Sequence, residues 1–198
     1  MPRMRRIAFA LLVFATACAS STPPPQAATA LPAPQPQVDS TLRVTLSTSV
    51  GDLTARLLPD VAPRTVAQFL KLARAGIYDG IYFYRVEQGF VAQVSVATDR
   101  EDPMSNAQRE VIAPIPLEAG DIRHTRGVLS LAHGDDPNSG ETSFSILLGD
   151  APHLDGKFTI FGVLEGGEET LKRIETEFDQ QARNKDRRRL ELLRVVTP

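Results

Sequence analysis

Leu42, Val44 and Leu46 alternate with Arg43, Thr45 and Ser47, and Leu53, Ala55 and Leu57 alternate with Thr54 and Arg56. Successive side chains of a strand face opposite sides, so period two on both flanks of Ser49-Val50-Gly51-Asp52 predicts a β-hairpin. The period then changes. Val66, Phe69, Leu70 and Ala73 fall at i, i+3, i+4 and i+7, one face of a helix. Pro63 suits its first turn, where a missing N–H costs nothing, and Gly76 suits the stop just past its end.

Short strand-like runs dominate the rest: Ile81 to Val86, Phe90 to Val96, Glu110 to Ile115, Val128 to Ala132, Phe144 to Leu148 and Thr159 to Leu164. Turn residues separate them, at Asp79-Gly80, Asp136-Pro137-Asn138-Ser139-Gly140 and Asp155-Gly156. A second helix is expected after Gly166-Gly167, with Leu171 and Ile174 facing inward. Leu190 to Val196 closes the chain as another strand. Many short strands and two helices predict a mainly β fold. An antiparallel sheet closed into a barrel, with helices over its open ends, removes the exposed edges of an open sheet.

The first residues break from this pattern. Arg3, Arg5 and Arg6 precede an apolar run from Ile7 to Ala17, too short to span a bilayer, which needs about 20 residues. A basic start, a short apolar stretch and small residues at its end predict a signal peptide over residues 1–17. Ala15-Thr16-Ala17-Cys18 resembles the lipobox of bacterial lipoproteins, in which the cysteine carries the lipid, although leucine is usual where Ala15 stands. The same small residues also fit ordinary signal cleavage. Residues 18–39 carry Pro23, Pro24, Pro25, Pro32, Pro34 and Pro36 among Ser, Thr, Ala and Gln. They cannot bury enough apolar surface to fold and read as a tether. One folded domain is therefore expected over residues 40–198.

Composition narrows the function classes. A net charge of −2 gives no long-range attraction to nucleic acid. One cysteine permits no intrachain disulfide, so the core must hold the fold. His124, His133 and His153 lack metal-ligand spacing with carboxylates or with Cys18, and no nucleophile elbow or phosphate-cradling loop is present. Arg187-Arg188-Arg189 reads as a solvated turn. These patterns alone stop at an exported β-barrel domain.

Five ordered motifs resemble the cyclophilin family. Ala62-Pro63-Arg64-Thr65-Val66-Ala67-Gln68-Phe69-Leu70 leads into Tyr82-Phe83-Tyr84-Arg85-Val86, similar to the family's first helix and F-H-R-V strand. Gln88-Gly89-Phe90-Val91-Ala92-Gln93 is similar to P-G-F-M-x-Q. His124-Thr125-Arg126-Gly127-Val128-Leu129-Ser130-Leu131-Ala132, then Asp136-Pro137-Asn138-Ser139, and finally His153-Leu154-Asp155-Gly156-Lys157-Phe158-Thr159-Ile160-Phe161-Gly162 follow in the family's order. The resemblance covers residues 42 to 198. It implies an eight-stranded antiparallel barrel capped by two helices, and isomerisation of Xaa-Pro peptide bonds without cofactor or metal. It further implies proline-containing polypeptides as partners, acting on exported proteins as they fold. The protein is expected to be monomeric, held on the periplasmic side of the cell envelope, and of the outer membrane in particular, by a lipid on Cys18.

By the same resemblance Arg85 is the catalytic residue and Gln93 holds the substrate carbonyl. Phe90 would floor the proline pocket and Leu154 wall it, with Val91, Ser143, Phe144, Ser145, His153 and Phe158 at positions where the family contacts substrate. Ala132 and the backbone at His133 would pair with the substrate chain. The departures are several. Ser145 stands where the family carries a phenylalanine deep in the pocket, Ser143 replaces a glutamine, His153 a tryptophan and Phe158 a histidine. Loss of the phenyl ring leaves a competing expectation, a module that holds proline segments without turning them over.

Overall fold

The computed structural model describes residues 42–178 and 190–198. Eight strands close into an antiparallel barrel in the order β1-β2-β7-β5-β6-β4-β3-β8. They are β1 (Arg43–Thr48), β2 (Gly51–Leu57), β3 (Ile81–Glu87), β4 (Val91–Val94), β5 (Val128–Leu131), β6 (Phe144–Leu147), β7 (Ile160–Gly166) and β8 (Glu191–Val196). The β1–β2 hairpin pairs Val44 with Ala55 and Leu46 with Leu53, so the predicted apolar phase faces the interior. Mainly β architecture and barrel closure agree with the sequence.

Helix α1 (Pro63–Arg74) buries Val66, Phe69, Leu70 and Ala73, the predicted stripe. Its first residues have no local side-chain cap. The Glu118 carboxylate, from a distant loop, instead accepts from the N–H of Arg64 at 3.0 Å and of Thr65 at 2.8 Å. Those are orphan donors of a helix start, and a negative charge there also suits the helix dipole. The C-terminus closes as a Schellman motif. Gly76, at φ +67°, donates to Ala73 O and Ile77 donates to Leu72 O, both at 3.0 Å. Phe69 inserts its ring among Tyr78, Phe144 and Phe161, with centroids 5.1 to 5.6 Å away. The second predicted helix is α3 (Glu168–Glu177), entered through Gly167 and burying Leu171 and Ile174.

One predicted strand is corrected. Glu110 to Ile115 forms no strand. A one-turn helix, α2 (Asn106–Glu110), ends there, started by a reciprocal capping box between Ser105 and Gln108. Only Ile115 makes a bridge, to Gly140. Pro114 and Pro116 flank it, and neither has the N–H a ladder requires. The predicted signal peptide, tether, Cys18 and Arg187-Arg188-Arg189 lie outside the described residues.

Candidate active site

Two apolar clusters divide the barrel. The larger fills its interior. A smaller one, Val91, Val128, Leu147, Ala151 and Ile160, lies on the outer face beneath the segment 149–158, with Phe90 and Leu154 packed against it. The candidate site grows on this outer face. Directly opposed residues of neighbouring strands project to the same side. Arg85 opposes Gln93, Gln93 opposes Ser145, and Ser145 opposes Ser130. One polar row thus crosses β3, β4, β6 and β5.

At the head of the row, Arg85 donates from Nε to Glu87 Oε1 at 2.8 Å. The two side chains stand two residues apart on one strand and so share a face. The Arg85 guanidinium carbon sits 5.2 Å from the centroid of the Phe90 ring, a cation–π contact. The Glu87 hydrogen bond, and secondarily its charge, hold Arg85 above its ordinary pKa. With Nε committed, the two terminal nitrogens remain for a ligand. Phe90 is itself fixed by backbone: Leu148 donates to Phe90 O at 2.8 Å. Gly149 permits that approach, since a Cβ there would meet Gly89 O at 2.2 Å.

A cavity of about 270 Å³ opens beside this row. Arg85, Phe90, Val91, Gln93, Ala132, His133, Ser145, Leu154 and Phe158 line it, together with Tyr84, Ser130 and Leu131. Ser143 lies next door, in an adjoining cavity of about 420 Å³ that shares Tyr84, Gln93, Ala132 and His133 as its wall. Its hydroxyl donates to Val94 O at 2.6 Å and accepts from Gln93 Nε2 at 3.3 Å, steadying the glutamine amide. His153 is exposed at the edge, its ring 5.5 Å from Phe90. His133 stacks on Phe158 at 4.2 Å, and its ring nitrogens reach Gly134 O and Lys157 O.

Phe144 is elsewhere. It is 0% exposed and packs edge-on against Phe69, Tyr78 and Phe161 in the barrel interior. Period two explains the correction: Ser143 and Ser145 face outward, so the residue between them faces in.

A buried relay supports the cavity floor. His124 is 1% exposed, with Nδ1 2.9 Å from Asp155 Oδ1 and Nε2 3.0 Å from Ser130 Oγ. The His124 backbone N–H also donates to Asp155 Oδ1 at 2.8 Å. That backbone bond, then the ring, hold the Asp155 carboxyl below its ordinary value. The relay ties the segment bearing Leu154 and Phe158 to β5. The motifs contained His124, Ser130 and Asp155 but assigned them no role, and Glu87 falls between two of the motifs. Strand alternation from Arg85 would have found Glu87, and alternation within β5 would have placed Ser130 outward.

The arrangement can place a guanidinium against an atom held over Phe90 while the Gln93 amide holds the flanking chain. Among the described residues no cluster of side chains could hold a metal ion. Residues 43–196 match the model of the cyclophilin type peptidyl-prolyl cis-trans isomerase/CLD family. The chain is 47% identical over 143 residues to the peptidyl-prolyl cis-trans isomerase CYP23 of Arabidopsis thaliana, covering 71% of this chain and 63% of that protein. It is 40% identical over 132 residues to peptidyl-prolyl cis-trans isomerase-like 2 of Cryptococcus neoformans, covering 66% of this chain and 23% of that protein. The match thus spans less than two thirds of either relative. A Cryptosporidium parvum cyclophilin type peptidyl-prolyl cis-trans isomerase, solved in the presence of the dipeptide Ala-Pro, superposes with a TM-score of 0.66 at 27% identity, covering 79% of this chain and 98% of that one. The chain belongs to the cyclophilin-type peptidyl-prolyl cis-trans isomerase family.

Proposed function

We propose that this protein accelerates cis/trans isomerisation of Xaa-Pro bonds in polypeptides, with Arg85 as the catalytic residue. The observation that carries the reading is the Arg85 guanidinium, clamped by Glu87 and the Phe90 ring at the mouth of a cavity whose next residue in the row is Gln93. The amide resists rotation by about 18–20 kcal/mol because its nitrogen shares its lone pair with the carbonyl. In the twisted state the lone pair returns to the prolyl nitrogen. A fixed donor aimed there binds the transition state and not the planar ground state, which is the requirement for lowering the barrier. No bond breaks and no net proton moves, so neither metal nor cofactor is needed. Gln93 would hold the carbonyl before the proline, and Phe90, Val91 and Leu154 the ring.

The solved Cryptosporidium relative with Ala-Pro supports proline peptides as ligands. The basic start, the apolar run and Cys18 support export to the cell envelope, with a lipid tether on the periplasmic side of the outer membrane. Clients would then be exported proteins during folding, met by a monomer. Ser145, in place of a ring, favours a second reading as a proline-binding module without turnover. A proline-limited peptide isomerisation assay separates the two. The expected result is a rate above that of buffer that a chelator does not reduce. Binding without acceleration would leave the second reading, and loss of rate on chelation would overturn the cofactor-free mechanism.

A further inference from the structure

The floor of the cavity is polar where an apolar ring would be expected, and its polarity is organised. Ser130 and Ser145 oppose each other across β5 and β6, and both line the cavity. Their hydroxyls are not equivalent. The Asp155 carboxylate takes the Nδ1–H of His124, so in the neutral ring Nε2 is an acceptor and receives the Ser130 hydroxyl proton. Ser130 then offers the cavity lone pairs only. Ser145 is half-buried, and among the described residues its hydroxyl has no hydrogen-bond partner. It is free to donate or accept. A donor-and-acceptor ligand group set between them would be satisfied on both sides.

We propose that the pocket prefers a proline ring bearing a hydroxyl, a residue of the hydroxyproline class, and that Ser145 is the residue that sets this preference. The inference rests on the reading that the cavity receives a prolyl ring. A plain proline seated there covers the Ser145 hydroxyl with methylene groups and leaves it without water or partner, a cost a polar group does not escape. A ring hydroxyl removes that cost by donating to Ser130 Oγ and accepting from Ser145. Discrimination by a buried hydrogen bond exceeds that available from shape alone.

The test uses the full-length protein and four-residue peptides that differ only in carrying proline or either epimer of 4-hydroxyproline. Affinity is read by calorimetry and isomerisation by exchange spectroscopy. At least one hydroxylated peptide should bind about three- to tenfold more tightly than its proline counterpart, the effect of one net hydrogen bond. Ser145→Ala, which removes a single oxygen, should abolish the preference, and Ser145→Phe should reverse it in favour of plain proline. Equal or weaker binding of both hydroxylated epimers would overturn the proposal, as would a preference that survives Ser145→Ala. The isomerisation readout is separate: a hydroxyl preference in binding without turnover of any peptide would sink catalysis while leaving the assignment of Ser145 intact.

Discussion

Arg85 is surrounded by groups that leave it little choice of position. Its Nε is held by Glu87 and its face by Phe90, while 36% of the side chain is still exposed. One donor is thereby spent on orientation, and the terminal nitrogens are left for a ligand. Arg85→Ala removes a charge-assisted hydrogen bond worth about 1.5–3 kcal/mol, and about 1.4 kcal/mol is tenfold in rate. Turnover should fall about ten- to a hundredfold, with peptide affinity and circular dichroism little changed, because the side chain lies outside the barrel core. Arg85→Lys should not restore it, since an ammonium cannot donate to Glu87 and to the prolyl nitrogen in one plane. Near-normal turnover in Arg85→Ala would remove the guanidinium from the mechanism. At this scale the sequence was informative about residue types and less so about faces. Phe144 was expected at a position where the family contacts substrate, yet its ring belongs to the core because strand phase decides direction. The relay from Asp155 through His124 to Ser130 spans 31 positions of sequence, and no local pattern announces a contact of that range.

At the scale of elements, legibility followed periodicity. The hairpin and α1 have long alternations or a full helical stripe, and both formed where expected. Glu110 to Ile115 is short and carries no period that separates strand from helix; its fate was settled by the Ser105–Gln108 box before it and by Pro114 and Pro116 at its end. The cap of α1 could not be read locally, since Glu118 arrives from a loop more than fifty residues later. The segment 149–158 is the element on which the site most depends, and Asp155 is its anchor. The native carboxyl titrates below its ordinary value of 3.8, so the unfolded state binds the proton first. Its contribution to stability is therefore complete above the unfolded value and is lost as pH falls through the folded one. Thermal melts across the acid range should show Asp155→Asn less stable than the parent near neutrality. The difference should narrow as pH drops below 3.8. A difference that stays constant down the acid limb would remove Asp155 as the titrating anchor.

The whole molecule joins a domain with its own closed core to an N-terminal stretch of quite different composition. Among the described residues the strands close into a barrel with no free sheet edge. Every group of the polar row and of its supporting relay lies between Arg85 and Asp155. The N-terminal residues should then determine where the protein sits without altering what it does. A single acyl chain binds a membrane only marginally, whereas two or more hold it stably, so a lipid-modified Cys18 at the mature N-terminus would make membrane attachment persistent. Cys18→Ser in the full-length chain should move the protein from the membrane fraction to the soluble fraction. The isomerisation rate per folded molecule should not change. Mass spectrometry of the native protein should find the acyl groups on Cys18. An unmodified cysteine at the N-terminus, or cleavage at another position with the protein soluble, would leave Ala15-Thr16-Ala17 as an ordinary export cleavage site. A change in catalytic rate on Cys18→Ser would instead show that the tether and the barrel act on one another.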